Sequence, residues 1–162
     1  MAFDNKCIKY GDDISTDLII AGKYTKTNSL EEHARHCMED LDPDFVAKVK
    51  GGAFVVAGKN FGCGSSREGA PVALKASGVT GVIAKSFARI FYRNSINVGL
   101  PVIECDTDRI ADGDEVRYEL GASSLLNKTT GETIPVLPLP EIMVKIIRCG
   151  DLYEYFKKYG GF

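Results

Sequence analysis

The chain has 162 residues, a formal net charge of −2, 44% hydrophobic and 26% charged residues, the profile of an ordinary globular domain able to bury roughly two thirds of its unfolded surface. That balance gives no electrostatic reason to expect nucleic acid or an anionic membrane as a partner. No apolar run approaches the roughly 20 residues of a membrane span, and the N-terminus has no signal-peptide core. The five cysteines (7, 37, 63, 105 and 149) are odd in number and form no C-x-x-C pair, so they give neither a disulfide framework nor a local zinc or iron–sulfur motif, which fits a reducing cytoplasm. The sequon Asn127-Lys128-Thr129 is read as coincidental.

In chain order, Cys7-Ile8-Lys9-Tyr10 is expected to form a first strand and to run into Gly11 to Asp17, a loop dense in carboxylates and small hydroxyls. Such loops are usually solvated turns. Three acids within six residues are also compatible with a divalent cation, although the spacing matches no calcium loop. Leu18-Ile19-Ile20 continues the apolar pattern, and Ala21 to Asn28 reads as a mobile surface loop. Ser29-Leu30-Glu31-Glu32 is a capping box that predicts a helix to about Asp40, with Leu30, Ala34, Cys37, Met38 and Leu41 towards the core. His33 and His36 lie three apart on it; lacking a third ligand, they are expected to be partly exposed rather than a metal pair. Asp42-Pro43 opens a short helix through Val49, closed by Gly51-Gly52.

The centre of the chain is Asn60-Phe61-Gly62-Cys63-Gly64-Ser65-Ser66-Arg67-Glu68. Before it, Ala53 to Ala57 reads as a buried strand. After it, Pro71 is tolerated only in a first helical turn, which places a helix start near Glu68 or Gly69, with Gly78 at the C′ position. Ser65, Ser66 and Arg67 then sit at a helix N-terminus, where unpaired N–H groups, two hydroxyls and a guanidinium favour a carboxylate or phosphate. The plainer alternative is a glycine-rich turn with a serine N-cap. Arg67 stands where a third glycine of G-x-G-x-x-G would be, and no G-x-x-x-x-G-K-[ST] occurs, so nucleotide binding has little support.

Gly81 to Ala84 predicts a strand, Ser86 the cap of a helix carrying Phe87, Ile90, Phe91 and Ile96 on one side, and Pro101 to Glu104 a further strand. The alternation from Phe54 to Glu104 indicates a parallel α/β unit. Beyond Asp106 the pattern changes: Glu115 to Leu120 alternates as a strand, and Leu125-Leu126 pairs with Ile134-Pro135-Val136 across Thr129 to Glu132. Pro140 opens a helix to about Arg148, and Asp151 caps a last one over 152–158. Without repeats or a linker, residues 1–162 are expected to be a single mixed α/β domain.

Three stretches in this order carry a resemblance over nearly the whole chain: Gly11 to Asp17, Asn60 to Glu68, and Ala84-Lys85-Ser86-Phe87-Ala88-Arg89-Ile90-Phe91-Tyr92-Arg93-Asn94. Together they resemble the small subunit of 3-isopropylmalate dehydratase and its relatives in the aconitase superfamily. The resemblance implies an α/β swivelling domain of layered β/β/α type and a hydro-lyase subunit, inactive without its large subunit, that isomerises isopropylmalate in leucine biosynthesis. It implies no cofactor on this chain and a 4Fe–4S cluster on the large subunit, whose iron acts as Lewis acid on the departing hydroxyl. The expected partners are that large subunit and a small hydroxy-diacid, with a homo-oligomer open for the isolated chain.

Residue by residue, the resemblance makes Ser65 the base that takes the C–H proton, Arg67 the grip on a substrate carboxylate, Ser66 a hydrogen-bond donor there, and Asp17 a supporting aspartate. A serine is a poor base unless its alkoxide is stabilised, which a helix N-terminus and Arg67 offer. None of the cysteines is expected to ligate the cluster, and the role of Cys63 stays open. The family's substrate-sorting loop falls on Tyr24-Thr25-Lys26-Thr27, where isopropylmalate enzymes tend to be apolar and homoaconitases resemble Tyr-Leu-Arg-Thr. Here Lys26 is cationic but lacks arginine's bidentate fork; it either meets a third carboxylate or faces solvent. The alternatives are therefore homoaconitase, a 2,3-dimethylmalate-type dehydratase, or, from another class, a non-catalytic anion-binding module.

Overall fold

A computed structural model describes residues 1–26 and 29–162. In chain order its main elements are β1 (Ala2–Lys9), α1 (Thr16–Ile19), α2 (Leu30–Arg35), α3 (Phe45–Lys48), β2 (Ala53–Val56), α4 (Gly69–Ser77) and β3 (Val79–Ala84). These are followed by α5 (Arg89–Asn97), β4 (Val102–Glu104), β5 (Glu115–Glu119), β6 (Ser124–Asn127), β7 (Glu132–Pro135), α6 (Glu141–Cys149) and α7 (Leu152–Tyr159). Among the described residues seven strands form one sheet in the order β4-β3-β2-β1-β5-β6-β7. β1 joins two kinds of pairing: it runs parallel to β2 through Cys7, Ile8 and Lys9 and antiparallel to β5 through Ala2 to Lys6.

The burial patterns explain the division. All four residues of β2 are buried, and β3 is buried at five of six, so helices α4 and α5 and the other crossover segments must cover these strands. β5 alternates exposed and buried, with Val116 and Tyr118 inward, as expected of a sheet with one wet face. The core is continuous across both halves, from Phe54, Val55 and Ile83 to Val116, Leu125 and Ile134.

The parallel β2–α4–β3–α5–β4 unit and the β6–β7 hairpin stand where the pattern of the sequence puts them. α4 has Pro71 in its first turn and ends on Gly78 at φ 105°, a left-handed cap that glycine adopts without steric penalty. α6 follows Pro140, and Asp151 accepts the Glu154 N–H at 2.8 Å to cap α7.

Four elements differ from expectation. β1 begins at Ala2 because its first half pairs with β5, a partner distant in sequence. Leu18-Ile19-Ile20 belongs to or follows the helical turn α1, started by Ser15, whose hydroxyl accepts from Leu18 N–H. α2 stops at Arg35 rather than near Asp40: the chain turns, Met38 adopts φ 60°, and its N–H donates to Ile19 O at 2.7 Å. Cys37 and Met38 are buried by that turn, whereas Leu30 points outward at 61% exposure and His33 is buried. Ser86 does not cap α5; its hydroxyl accepts from Asn60 N–H at 2.8 Å, and Ala88 is the uncapped residue before the helix.

Candidate active site

Three loops leave the C-terminal ends of adjacent parallel strands: 10–15 after β1, 57–68 after β2 and 85–88 after β3. They are stitched by backbone. Gly58 N–H donates to Gly11 O, Asp13 N–H to Lys59 O and Gly62 N–H to Ile14 O, while Thr16 N–H reaches Cys63 O at 2.8 Å. On the other side Phe61 N–H donates to Ser86 O and Ala88 N–H to Phe61 O. The three stretches that carry the resemblance are thus neighbours in space, at the edge of a parallel sheet where ligands generally bind.

Local chemistry fixes this knot. Asp12 Oδ1 accepts from Lys59 N–H at 2.7 Å, and Asp13 Oδ1 from Asn60 Nδ2 at 3.0 Å. Asp13 and Asn60 both have positive φ, 55° and 61°, a region in which Asn and Asp are enriched. The first two acids of the carboxylate-rich loop therefore hold backbone and side chain. Gly62, at φ 82°, lies against Phe91: a Cβ there would come within 2.1 Å of the ring. Any side chain at 62 would push α5 and the Phe61–Phe87–Phe91 cluster away.

At the start of α4, Arg67 is one-quarter exposed and its Nη1 engages Asp17 Oδ1 at 2.5 Å and Ile20 O at 3.3 Å. The guanidinium lies across Gly22, whose missing side chain leaves it room; a Cβ would sit 3.2 Å from Nη2. Nε and Nη2 have no protein partner among the described residues and remain available to a ligand. Asp17 thus aims the arginine while being itself largely exposed.

Ser65 and Ser66 are exposed at the turn. The carbonyl of Ser65 accepts from the Thr16 hydroxyl at 3.1 Å and from Arg67 N–H at 2.9 Å. Thr16, 1% exposed, is a residue to which sequence reasoning gave no role, and nothing in its local pattern marks its contact with Ser65, 49 residues away.

A cleft of about 620 Å³ opens beside this turn, lined among others by Thr25, His33, Ser66, Arg67, Glu68 and Asn94. Ser65 and Asp17 stand outside that lining. The sorting loop divides: Thr25 enters the cleft, its hydroxyl bonded to Gly22 O at 2.7 Å. Tyr24 turns back, stacked on His36 at 3.8 Å between centroids, its phenol raised in pKa chiefly by the neighbouring Glu39 carboxylate. The Glu39 carboxyl is lowered, chiefly by His36 at 2.8 Å. Lys26 is exposed and does not line the cleft; Thr27 lies outside the described residues. His33 donates its Nδ1–H to Ser29 O at 2.8 Å, which leaves Nε2 towards Gly69 and the cleft.

No three His, Cys, Asp or Glu side chains group as metal ligands among the described residues. Cys7 and Cys105 are raised to about 12 by burial. Among the described residues the side chains thus offer no grouped donor set of the kind that holds an iron–sulfur cluster.

A family model described as the aconitase C-terminal domain matches residues 8–108, which include all three loops. The 3-isopropylmalate dehydratase small subunit 2 of Archaeoglobus fulgidus is 59% identical over 153 residues, covering 94% of this chain and 93% of the relative. The chain belongs to the 3-isopropylmalate dehydratase small-subunit family. The small subunit from Caldicellulosiruptor bescii is 54% identical over 97% of this chain and 96% of its own length. The crystal structure of 3-isopropylmalate dehydratase from Methanocaldococcus jannaschii matches with a TM-score of 0.94 at 46% identity, over 99% of this chain and 96% of that one. The swivelling-domain fold expected of the family is the fold observed, built on a curled mixed sheet.

Proposed function

We propose that this chain is the small subunit of a 3-isopropylmalate dehydratase, a hydro-lyase that interconverts 2- and 3-isopropylmalate by dehydration and rehydration in leucine biosynthesis. In this reading residues 1–162 are one swivelling domain that docks on a separate large subunit in the cytoplasm. Among the described residues no helix is long and apolar enough to cross a membrane. The observation that carries the reading is the Asp17–Arg67 pair at the N-terminus of α4, beside two exposed hydroxyls.

Bound on the large subunit, an iron–sulfur cluster would supply a Lewis acid for the departing hydroxyl. This chain supplies the rest. Arg67, aimed by Asp17 and Ile20 O, presents Nε and Nη2 to a substrate carboxylate, and Ser66 adds a hydroxyl donor. Ser65 takes the C–H proton. Its backbone is fixed from both sides by Thr16 and Arg67, and the α4 N-terminus with the guanidinium stabilises the alkoxide.

A homoaconitase-type tricarboxylate would need a further cation in the cleft. Arg67 is the one lysine or arginine among its described lining residues, which favours a dicarboxylate. Reconstitution with the cognate large subunit, assayed against isopropylmalate, homocitrate and 2,3-dimethylmalate, tests this. Turnover of isopropylmalate by the pair, and of nothing by this chain alone, is expected. Turnover of homocitrate in preference, or unaided activity, would overturn the reading; a chain that binds dicarboxylates yet activates no large subunit would be the non-catalytic module.

A further inference from the structure

Helix α5 separates two cavities. Ile90 and Asn94, one helical turn apart, line the cleft beside Arg67. Arg89, Arg93 and Asn97, the neighbouring row on the same helix, line a second cavity of about 380 Å³, floored by Ile142, Met143 and Ile146 of α6. Phe91 seats α5 on the catalytic turn by packing against Gly62 and Phe61, so the two cavities keep a fixed relation. The function proposed above makes no use of the second one, and its charge is one-sided. Arg35, Arg67, Arg109 and Arg117 each lie against a carboxylate. The exposed guanidiniums of Arg89 and Arg93 have no hydrogen-bond or ion-pair partner among the described residues, and none of the cavity's described lining residues is acidic.

We propose that Arg89 and Arg93, over the floor of Ile142, Met143 and Ile146, form a docking socket for the large subunit, which inserts an acidic side chain flanked by an apolar one. The inference rests on the function proposed above and names where its partner is held. Each guanidinium presents a planar fork that grips a carboxylate through two hydrogen bonds. Arginine beside apolar surface is also the composition enriched at the centres of protein interfaces. Position singles out the partner. A large subunit that sets a Lewis acid over Ser65 and Arg67 reaches the Ile90 row of α5, and the Arg89 row is the next one out. A second copy of this chain fits worse, because a two-fold contact through this face sets guanidinium against guanidinium.

The test titrates the chain with its cognate large subunit, reading affinity first and then kcat on isopropylmalate at saturating partner. Arg89→Glu combined with Arg93→Glu changes two exposed positions and should raise the dissociation constant at least about thirtyfold, the scale of reversed charges at an interface. The Tm of the isolated chain should hold, and kcat at saturation should stay within about twofold. Asn97→Asp keeps the shape of its side chain and sets a carboxylate one turn from Arg93. By engaging that arginine from within the chain it should weaken docking about fivefold. Added salt should weaken the wild-type pair much more than the double variant. Unchanged affinity in the double variant overturns the inference. So does a fall in kcat at saturation with affinity intact, which would give the arginines to the substrate. A dimer of the isolated chain that the double variant dissolves, with large-subunit affinity unchanged, would assign the face to a second copy and overturn it too. A wild-type pair that associates through these arginines but leaves isopropylmalate unturned overturns the functional reading alone; a pair that does not associate overturns both.

Discussion

The two halves of the sheet share one core but divide the labour. On the parallel side, β2 is buried throughout and β3 at five of six residues, and the loops after β1, β2 and β3 converge on Ser65, Arg67 and Asp17. On the antiparallel side, β5 to β7 pair tightly, alternate inward and outward residues, and bring none of the candidate site residues to the cleft. The match to the aconitase C-terminal family ends at residue 108, before β5 begins. The antiparallel half still contributes a hub of its own. Asn127, fully buried, donates to Asp114 Oδ2 at 2.8 Å and Arg109 O at 3.2 Å, and accepts from Thr129 and Thr130 N–H. Parallel strands point their C-terminal ends the same way, so several loops can meet at one edge; a meander sends successive loops to opposite ends, and its polar residues serve the fold.

That contrast is broken or sharpened most forcefully at Ser65. In the reconstituted enzyme Ser65→Ala should lower kcat about a thousandfold or more with little change in KM or melting temperature, since a base acts in the transition state. Near-normal kcat would move the base elsewhere. Asn127→Ala should do the opposite. Removing a buried side chain that satisfies four partners destabilises by about 2–3 kcal/mol, a fall in Tm of roughly 5–10 °C for a chain of this size. kcat/KM at a temperature where the chain is folded should stay within about twofold. A large catalytic defect with an unchanged Tm would show that the antiparallel half takes part in the chemistry. The burial of Asn127 also closes its sequon to any glycosyl group.

Smaller, and aimed at the seam between loops, is Thr16→Val. It keeps the shape of the side chain but removes the hydroxyl that holds the Ser65 carbonyl at 3.1 Å. The expected loss is about 1 kcal/mol, the ordinary worth of one hydrogen bond, read as roughly a fivefold to tenfold drop in kcat through a less well placed Ser65. Thr16→Ser should restore it. If Thr16→Val lowers Tm but leaves kcat untouched, the hydroxyl supports the fold and not the base.

Much of this arrangement was legible in the residues, for reasons that differ along the chain. Pro71 and Gly78 marked both ends of α4 because each is admitted only at such positions. The run 53–57 read as a strand because burial on both faces leaves no polar gap. Ser65, Ser66 and Arg67 were found through the strand–turn–helix context, but Asp17 entered only by resemblance, as a supporting aspartate, and its ion pair with Arg67, 50 residues on, was not read from the sequence. Leu30 and His33 were misread by a helical template: α2 stops after Arg35, and the turn at Met38 rotates the apolar face that a longer helix would have presented. Tyr24 was placed in the loop without a direction, because its stacking on His36 depends on that same turn.

The smallest expected effect is at Lys26, where the sequence left two opposite outcomes. An ammonium held against an alkyl group would be desolvated without a partner, at about 1–3 kcal/mol, so an inward lysine is compatible only with a third carboxylate on the substrate. The structure leaves Lys26 exposed and outside the cleft lining, while its neighbour Thr25 occupies the wall. Lys26→Leu should therefore leave kcat/KM on isopropylmalate unchanged or slightly improved, within about twofold, and should not create activity on homocitrate. A tenfold loss on isopropylmalate corresponds to about 1.4 kcal/mol and would mean that the loop swings inward when the large subunit docks, bringing the ammonium onto a carboxylate. The division between a rigid cleft and an outward loop would then fail at this point first.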